Sequence, residues 1–467
     1  MRSPYIPRVP RPNERVIARP GMRGFLLVLL LGLAWLPLQV QPQEDWFRTG
    51  TGLGVEKIRL AVPAFAAEST EVEAAAGVFN FVLQRDLEWS GLVELVSPSF
   101  FPLGIPSRPV ELKHNAWSAV PSNADMVAYG NLRFADSQLM VDAWLSDVRN
   151  PRAPAVIAKR YRADLTELQA RQLAHQFADE IVERLSGGVP GIARTRVAFV
   201  SNRTGSKEIW VMDYDGYNQE QVTRCGFICL TPRWSPDNTQ IAYTAYERTQ
   251  ASTAVPRTSI HIRSLVMNRR VAFPTIGGTT TTPAWAPDST QIALSSSRTG
   301  DQEIYAGASD GTRLRRLTYS RGVDISPAWN PRTGNQIAFV SDRGGAPQIF
   351  LMDADGANVE RLTDGEGYAV SPAWSPNGQL LAFAWQRDNT PFDIYVLDVA
   401  TRQTVQLTRD SGRNEQPSWA PDGRHLVLQS NRTGHNQVWI MLADGTQARQ
   451  VTFAGSNTAP HWSWGHP

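Results

Sequence analysis

Six tryptophans, Trp234, Trp285, Trp329, Trp374, Trp419 and Trp462, each stand two positions after a proline and recur at steps of 51, 44, 45, 45 and 43 residues. A period of roughly 40–50 residues holding several short strands marks a β-propeller, in which each repeat is one small sheet that cannot bury its faces alone. Each unit reads Pro-x-Trp, a turn such as Ser375-Pro-Asn377, an apolar strand, a polar loop and a second apolar strand. An Asp-Gly turn and a short strand ending in Leu-Thr or Val-Thr often follow, so one unit holds about four strands. The first apolar strands begin at Val197, Ile241, Ile292, Ile337, Leu381 and Leu426. The next run through Ile209, Ile304, Ile349, Ile394 and Val438. Asp215-Gly216, Asp310-Gly311, Asp355-Gly356 and Asp444-Gly445 are hairpin turns, because Gly accepts the positive φ they demand.

The two series are out of phase. Val197 has no Pro-x-Trp before it, and Pro460-His-Trp462 has no second strand after it. The simplest closure lets the C-terminal segment supply the innermost strand of the first blade, leaving no sheet edge open. The prediction is a mainly β fold, a six-bladed β-propeller over residues 196–467 preceded by a small α/β domain.

At 467 residues and 42% hydrophobic content, the chain is long enough for two or three domains with cores of their own. The net charge is +2, but residues 1–43 carry six Arg against Glu14, so the remainder stands at −3 and offers no electrostatic case for nucleic acid. Phe25 to Leu36 is an unbroken apolar run after Arg23. Twelve residues are too few to cross roughly 30 Å of hydrocarbon as a helix, so residues 1–43 read as a secretory signal, with Met22 an alternative start. Leu38-Gln-Val-Gln-Pro is a poor cleavage pattern, which keeps an uncleaved anchor open. Cys225 and Cys229 are the only cysteines; an oxidising compartment permits a disulfide there, and two unpaired thiols are the alternative. No His or second Cys pair lies near them to complete a zinc site.

Residues 44–56 are Gly-rich and aperiodic, which predicts a flexible arm, with Trp46 and Phe47 as partner anchors or as residual linker. Gly50-x-Gly52-x-Gly54 precedes a strand instead of following one, so it is no dinucleotide loop. Ile58, Leu60 and Val62 alternate as a strand does, and Glu71 to Trp89 carries apolar residues at helical spacing, ended by Ser90-Gly91. Leu92 to Val96 reads as a strand, Ala116 to Val120 as a short helix, and 126–134, 138–148 and 154–161 as three alternating strands. Asp164-Leu-Thr-Glu167 resembles a capping box for a helix presenting Leu165, Leu168, Phe177, Ile181, Val182 and Leu185 on one side. Residues 57–186 thus form one α/β unit, and 187–195 a short linker.

The sequence holds no constellation of reactive groups. Gly307-Ala-Ser309-Asp-Gly311 has the letters of a nucleophile elbow but falls on a hairpin turn with no helix after it. His114, His175, His261, His425, His435, His461 and His466 are dispersed, with no H-E-x-x-H spacing and no phosphate-binding Walker loop in the chain. The Trp series is core packing between blades. The recurring Arg203, Arg298, Arg343, Arg387 and Arg432 stabilise loops from the solvent side. No catalytic, cofactor or metal residue is assigned. The loops leading into the innermost strands, opening on one mouth of the channel, hold the candidate docking residues: Thr279, Thr280, Thr282, Asp324, Ile325, Tyr368, Val370, Asn414, Glu415, Asn457 and Thr458. Polar groups around a few apolar anchors suit a protein partner.

The Pro-x-Trp-Ser-Pro-Asp/Asn-Gly repeat with Ile-Ala-Phe, and the phrase Val211-Met-Asp-Tyr-Asp-Gly-Tyr-Asn218, resemble the TolB family of periplasmic propellers in the Tol–Pal envelope system. The order of parts is similar too: signal, α/β domain with Asp86-Leu-Glu-Trp-Ser-Gly91, a Leu-Ser-Gly-Gly bridge into Arg196-Val-Ala-Phe-Val, then six blades. The resemblance covers residues 45–464 and implies a non-enzymatic, monomeric periplasmic adaptor. It implies that the peptidoglycan-associated lipoprotein Pal docks at the propeller mouth, where Thr279, Thr282 and Ile325 occupy the family positions before Pro-x-Trp. It also implies that TolA, and possible other envelope proteins, engage the N-terminal arm, in support of outer-membrane integrity and constriction at division. The Gly-rich 44–56 departs from the family's arm. Two other readings stay open, a secreted propeller-containing hydrolase or peptidase and an orphan exported binding module.

Overall fold

The computed structural model describes residues 56–247, 257–388 and 390–465. The expected signal 1–43, the arm 44–56 up to residue 55 with Trp46 and Phe47, and His466 lie outside them. No helix among the described residues is long and apolar enough to cross a membrane.

Six four-stranded antiparallel sheets make the propeller. Their innermost strands are Ile228–Trp234, Thr280–Trp285, Asp324–Trp329, Tyr368–Trp374, Asn414–Trp419 and Asn457–Trp462. The last of these pairs with Arg196–Ser201, Asn457 opposite Ser201 and Trp462 opposite Val197, so the ring is clasped by the C-terminal strand. The second blade places its third strand at Arg257–Ser264, a segment whose mixed polarity hid it from the periodicity.

Two repeated devices hold the ring together. The threonine that closes a unit sits buried beside the third strand. Thr223, Thr318, Thr363, Thr408 and Thr452 each accept the N–H of that strand's second residue, at 2.8–3.0 Å. Each then donates to the residue before it, Glu208, Glu303, Gln348, Asp393 or Gln437. Between blades, the indole N–H of Trp285, Trp374 and Trp419 donates to the backbone oxygen of Arg233, Ala328 and Ala373 in the preceding blade, at 3.0–3.2 Å. The tryptophans therefore bond as well as pack, giving a buried polar group its partner.

The α/β part is one sheet ordered β3 (Val93–Leu95), β1 (Ile58–Ala61), β4 (Met126–Ala135), β5 (Gln138–Asp147) and β6 (Ala155–Ala163), with β2 (Ala66–Ala67) also on β4. Strand β1 runs parallel to β3 and β4, while β4, β5 and β6 form antiparallel hairpins. The helices Glu73–Trp89 and Glu167–Leu185 lay Phe79, Leu83, Phe177 and Ile181 into its core. The second helix is capped by Thr166, whose hydroxyl accepts from the Gln169 N–H at 3.1 Å, so the predicted Asp164 cap is displaced by two residues. Leu168 consequently points outward and is exposed.

The α/β part and the ring share a core that runs from Phe79 and Phe177 to Val197, Tyr214, Val438 and Trp462. The bridge 187–195 is built into it: Ile192 and Thr195 are buried, and the Asp179 carboxylate accepts the N–H groups of Ala193 and Arg194 at 2.7 and 3.2 Å. Polar pins cross the same interface. The Asp86 carboxylate accepts from the Tyr214 hydroxyl at 2.5 Å and meets His175 Nδ1 at 2.6 Å. His425 bridges the Trp89 carbonyl at 2.7 Å and the Asp422 carboxylate at 2.6 Å. Arg171 pairs with Asp215, and the Arg449 guanidinium lies 3.5 Å above the Trp89 ring. Burial alone would raise the Asp422 carboxyl, yet His425 and Arg424 hold it below the usual carboxylate range. These contacts fall on the end of the ring where the innermost strands finish, over the first and sixth blades.

Candidate functional site

The channel is shaped by one recurring irregularity. In every innermost strand the residue before the proline takes a positive φ, at Thr231, Thr282, Ser326, Ser371, Gln416 and Ala459, between 49° and 58°. The pairing register slips at the same place. Proline has no N–H for the ladder, so the strand bulges to pass it. Each left-handed residue that is not glycine stores about 1–2 kcal/mol. Beyond the bulge, the middle residue and the Trp of each Pro-x-Trp line the lumen.

Except for Thr279, the candidate residues before the bulge are strand, not loop, and alternate accordingly. Thr280, Asp324, Asn414 and Asn457 are at most 1% exposed. They are fastened within their blades: Arg343 donates to Asp324 at 2.8 Å, Arg432 to Asn414 at 2.9 Å and Arg203 to Asn457 at 3.2 Å, while the Thr280 hydroxyl donates to the Gly277 carbonyl at 3.1 Å. These four support the rim from below and present nothing to a partner. The arginine series is corrected in part. Arg203, Arg343 and Arg432 turn in over Trp210, Phe350 and Trp439 while bonding the buried rim supports, whereas Arg298 and Arg387 lie near Tyr305 and Trp385 and stay exposed, as expected of solvated loop residues.

Ile325, Val370, Glu415 and Thr458, one position later, are half-buried, and Thr279 is exposed. Glu415 accepts from Arg413 at 2.6 Å and Gln429 at 3.1 Å. Tyr368 is 48% exposed. Other connections into the innermost strands expose apolar groups that the repeat pattern did not single out: Tyr319, Val323 and Phe453. Tyr319 and Phe453 each follow the closing threonine of a unit by one residue, a signal that was available in the sequence. This rim faces away from the α/β part.

The cavity, about 360 Å³ and open to solvent, lies toward the other end of the innermost strands, among the Pro-x-Trp motifs themselves. Of the candidate docking residues only Thr282 lines it. At the middle position of Pro-x-Trp four blades carry Ala284, Ala328, Ala373 and Ser418, which leaves the lumen wide; the other two carry Arg233 and His461. Burial lowers the Arg233 guanidinium to about 10. Burial, with Arg233 nearby, pushes the His461 imidazole well below its ordinary value, so it is neutral at pH 7. Its Nδ1 accepts the Trp234 N–H at 3.3 Å, which leaves the proton on Nε2.

Cys225 and Cys229 are joined in a disulfide. With Glu208 they form the one cluster of metal-ligating groups among the described residues, but both sulfurs are bonded to each other. The carboxylate accepts from Thr223, the Cys225 N–H and the Gly226 N–H. Ser309 sits on its hairpin, its N–H bonded to the Thr290 carbonyl, far from the geometry of a nucleophile elbow.

A family model for the TolB beta propeller domain matches residues 182–370 and 363–465, and one for the TolB amino-terminal domain matches 51–153. The chain is 35% identical over 304 residues to the Tol-Pal system protein TolB of Desulfosudis oleivorans, a match covering 64% of this chain and 65% of that one. It is 32% identical over 324 residues to the Tol-Pal system protein TolB of Bordetella pertussis, covering 67% and 68%. The chain thus spans about two thirds of these relatives' length. The crystal structure of TolB from Acinetobacter baumannii superposes with a TM-score of 0.75 at 23% identity, over 88% of this chain and 97% of that one, and shares its fold.

Proposed function

The chain belongs to the TolB family, and from that premise we propose that it is a non-enzymatic periplasmic adaptor of the Tol–Pal system. In this reading Pal docks on the rim where the innermost strands begin, and TolA engages the N-terminal region through Trp46 and Phe47. The work of the assembly is to keep the outer membrane coupled to the envelope beneath it as the cell constricts. The observation that carries the reading is the rim itself: Tyr368, Tyr319, Val323 and Phe453 are exposed aromatic and aliphatic groups on a rigid ring. Half-buried Ile325, Val370, Thr458 and Thr282, with exposed Thr279, lie among them. Large apolar anchors among polar neighbours, set on a closed ring of sheets, suit a standard protein–protein interface.

The test is capture of a peptidoglycan-bound lipoprotein from an envelope extract by the purified chain, with Tyr368→Ala and Ile325→Asp variants alongside. Capture of Pal that falls at least tenfold in both variants supports the reading; capture unchanged by both overturns the placement. Turnover of peptide or glycan by the purified chain would favour the hydrolase instead. Deleting residues 44–56 and remeasuring Pal affinity tests whether arm and rim are coupled, since such coupling is reciprocal.

A further inference from the structure

The lumen wall carries an unbalanced charge. Among the side chains that line it, Arg233 is a cation and none is an acid. Its one hydrogen bond within the described residues runs from Nη1 to the Pro232 carbonyl at 2.9 Å, and it joins no ion pair there. Four further N–H donors of the guanidinium are then left for another acceptor. The neighbouring His461 adds a neutral Nε2–H donor, because its Nδ1 is taken by the Trp234 N–H. In the same wall the Trp234 indole N–H is buried without an acceptor, whereas those of Trp285, Trp374, Trp419 and Trp462 all have one. Donors gather in one stretch of the wall, and acceptors of matching charge are missing.

Arg233 is half-buried in the wall with no ionic partner among the described residues, and a guanidinium presents a planar fork that fits two oxygens of one anion. The cavity is large enough for a small organic ligand, and Ser326, Ser371 and Gln416 add polar groups around it. We infer that the channel is a binding site for a small oxyanion, a carboxylate or a phosphate, held by the Arg233 guanidinium with the His461 Nε2–H as second donor. This site is separate from the docking rim and stands or falls independently of the Pal reading. Arg233 and His461 occupy the middle position of Pro-x-Trp in adjacent blades, where the other four blades carry Ala or Ser.

The experiment titrates the full-length protein at constant ionic strength with citrate and acetate in one arm, inorganic phosphate and sulfate in a second, and chloride as control. Tryptophan fluorescence and thermal melting are the readouts. Saturable binding in either oxyanion arm, weakened at least tenfold in Arg233→Gln and partly retained in Arg233→Lys, supports the site, and the arm that responds identifies the source. A response equal to chloride, or equal binding by Arg233→Gln, overturns it. Melting in anion-free buffer guards against a folding defect: Arg233→Gln is expected to match or exceed the parent, since it removes an unpaired charge. A lower midpoint there would mark Arg233 as structural and would also overturn the site.

Discussion

The Asp86 carboxylate joins the two halves of the molecule, and removing one oxygen atom tests how much it carries. Tyr214→Phe leaves the ring in the shared core and deletes only the hydroxyl that donates to Asp86 at 2.5 Å. Both residues are buried, so water cannot replace the lost donor. A hydrogen bond to a charged group is worth about 1.5–3 kcal/mol, and a buried carboxylate left one donor short belongs at the upper end, so we expect a loss of about 2–3 kcal/mol. His175 Nδ1, 2.6 Å from the same carboxylate, is the group that remains. The assay is urea unfolding at pH 7 followed by tryptophan fluorescence, with a double-mutant cycle against Asp86→Asn to isolate the pair. Alkali gives a second signature. Burial and the Asp86 charge hold the Tyr214 phenol well above its ordinary range, so the folded chain keeps a proton that the unfolded chain loses near pH 10. The stability this contributes is full below about pH 10 and is lost as pH rises beyond it, a component absent from Tyr214→Phe. A loss under about 0.5 kcal/mol, or a coupling near zero in the cycle, would refute the interface as described.

Acid provides the mirror case at His461, whose imidazole is held far below its ordinary value. The unfolded chain takes up that proton near pH 6.5, so stability is full above this pH and falls by about 1.4 kcal/mol per unit below it until the native state protonates too. His461→Asn should flatten that part of the decline in urea midpoints between pH 7 and 5, and an unchanged slope would count against it. The Cys225–Cys229 bridge closes a very short loop, for which chain entropy gives about 2 kcal/mol, so reduction should lower stability by about that much; melting with and without reductant measures it, and unchanged midpoints would count against it. Gly445→Ala would put a Cβ 2.3 Å from the Leu407 carbonyl at φ +83°, whereas Gly434→Ala, at φ +99°, meets nothing within 4 Å. The first should lose about 2–4 kcal/mol and the second about 1–2 kcal/mol. Equal melting points for the two variants would show that the inter-blade contact does not matter.

The architecture was legible because its signals are periodic. Pro-x-Trp, the apolar strand starts and the Asp-Gly turns place blade count and closure without any long-range information, and the clasp of Trp462 on Val197 follows from their phase. The rim was legible only in outline. Asp324, Asn414 and Asn457 read as polar loop residues because a bulge interrupts the alternation that would have shown them facing inward. Arg343 looked solvated for the complementary reason: its partner Asp324 stands nineteen positions earlier on a neighbouring strand. Arg233 and His461 stood in plain view within the motif, at a position where alanine is the rule, and stood out only once the lumen gave that position a meaning.

Closure by the final strand also sets an order of events. A chain that emerges N-terminus first presents residues 196–201 long before residues 457–462, the segment that completes their sheet. For all the time between, the first blade must wait with one edge bare, an invitation to pair with a stranger. The helices Glu73–Trp89 and Glu167–Leu185 are made earlier still, and their shared core with Val197 and Tyr214 gives the unfinished blade a neighbour to rest against. The small domain at the front of the chain can thus act as a shelter for the ring's first sheet until its last strand arrives.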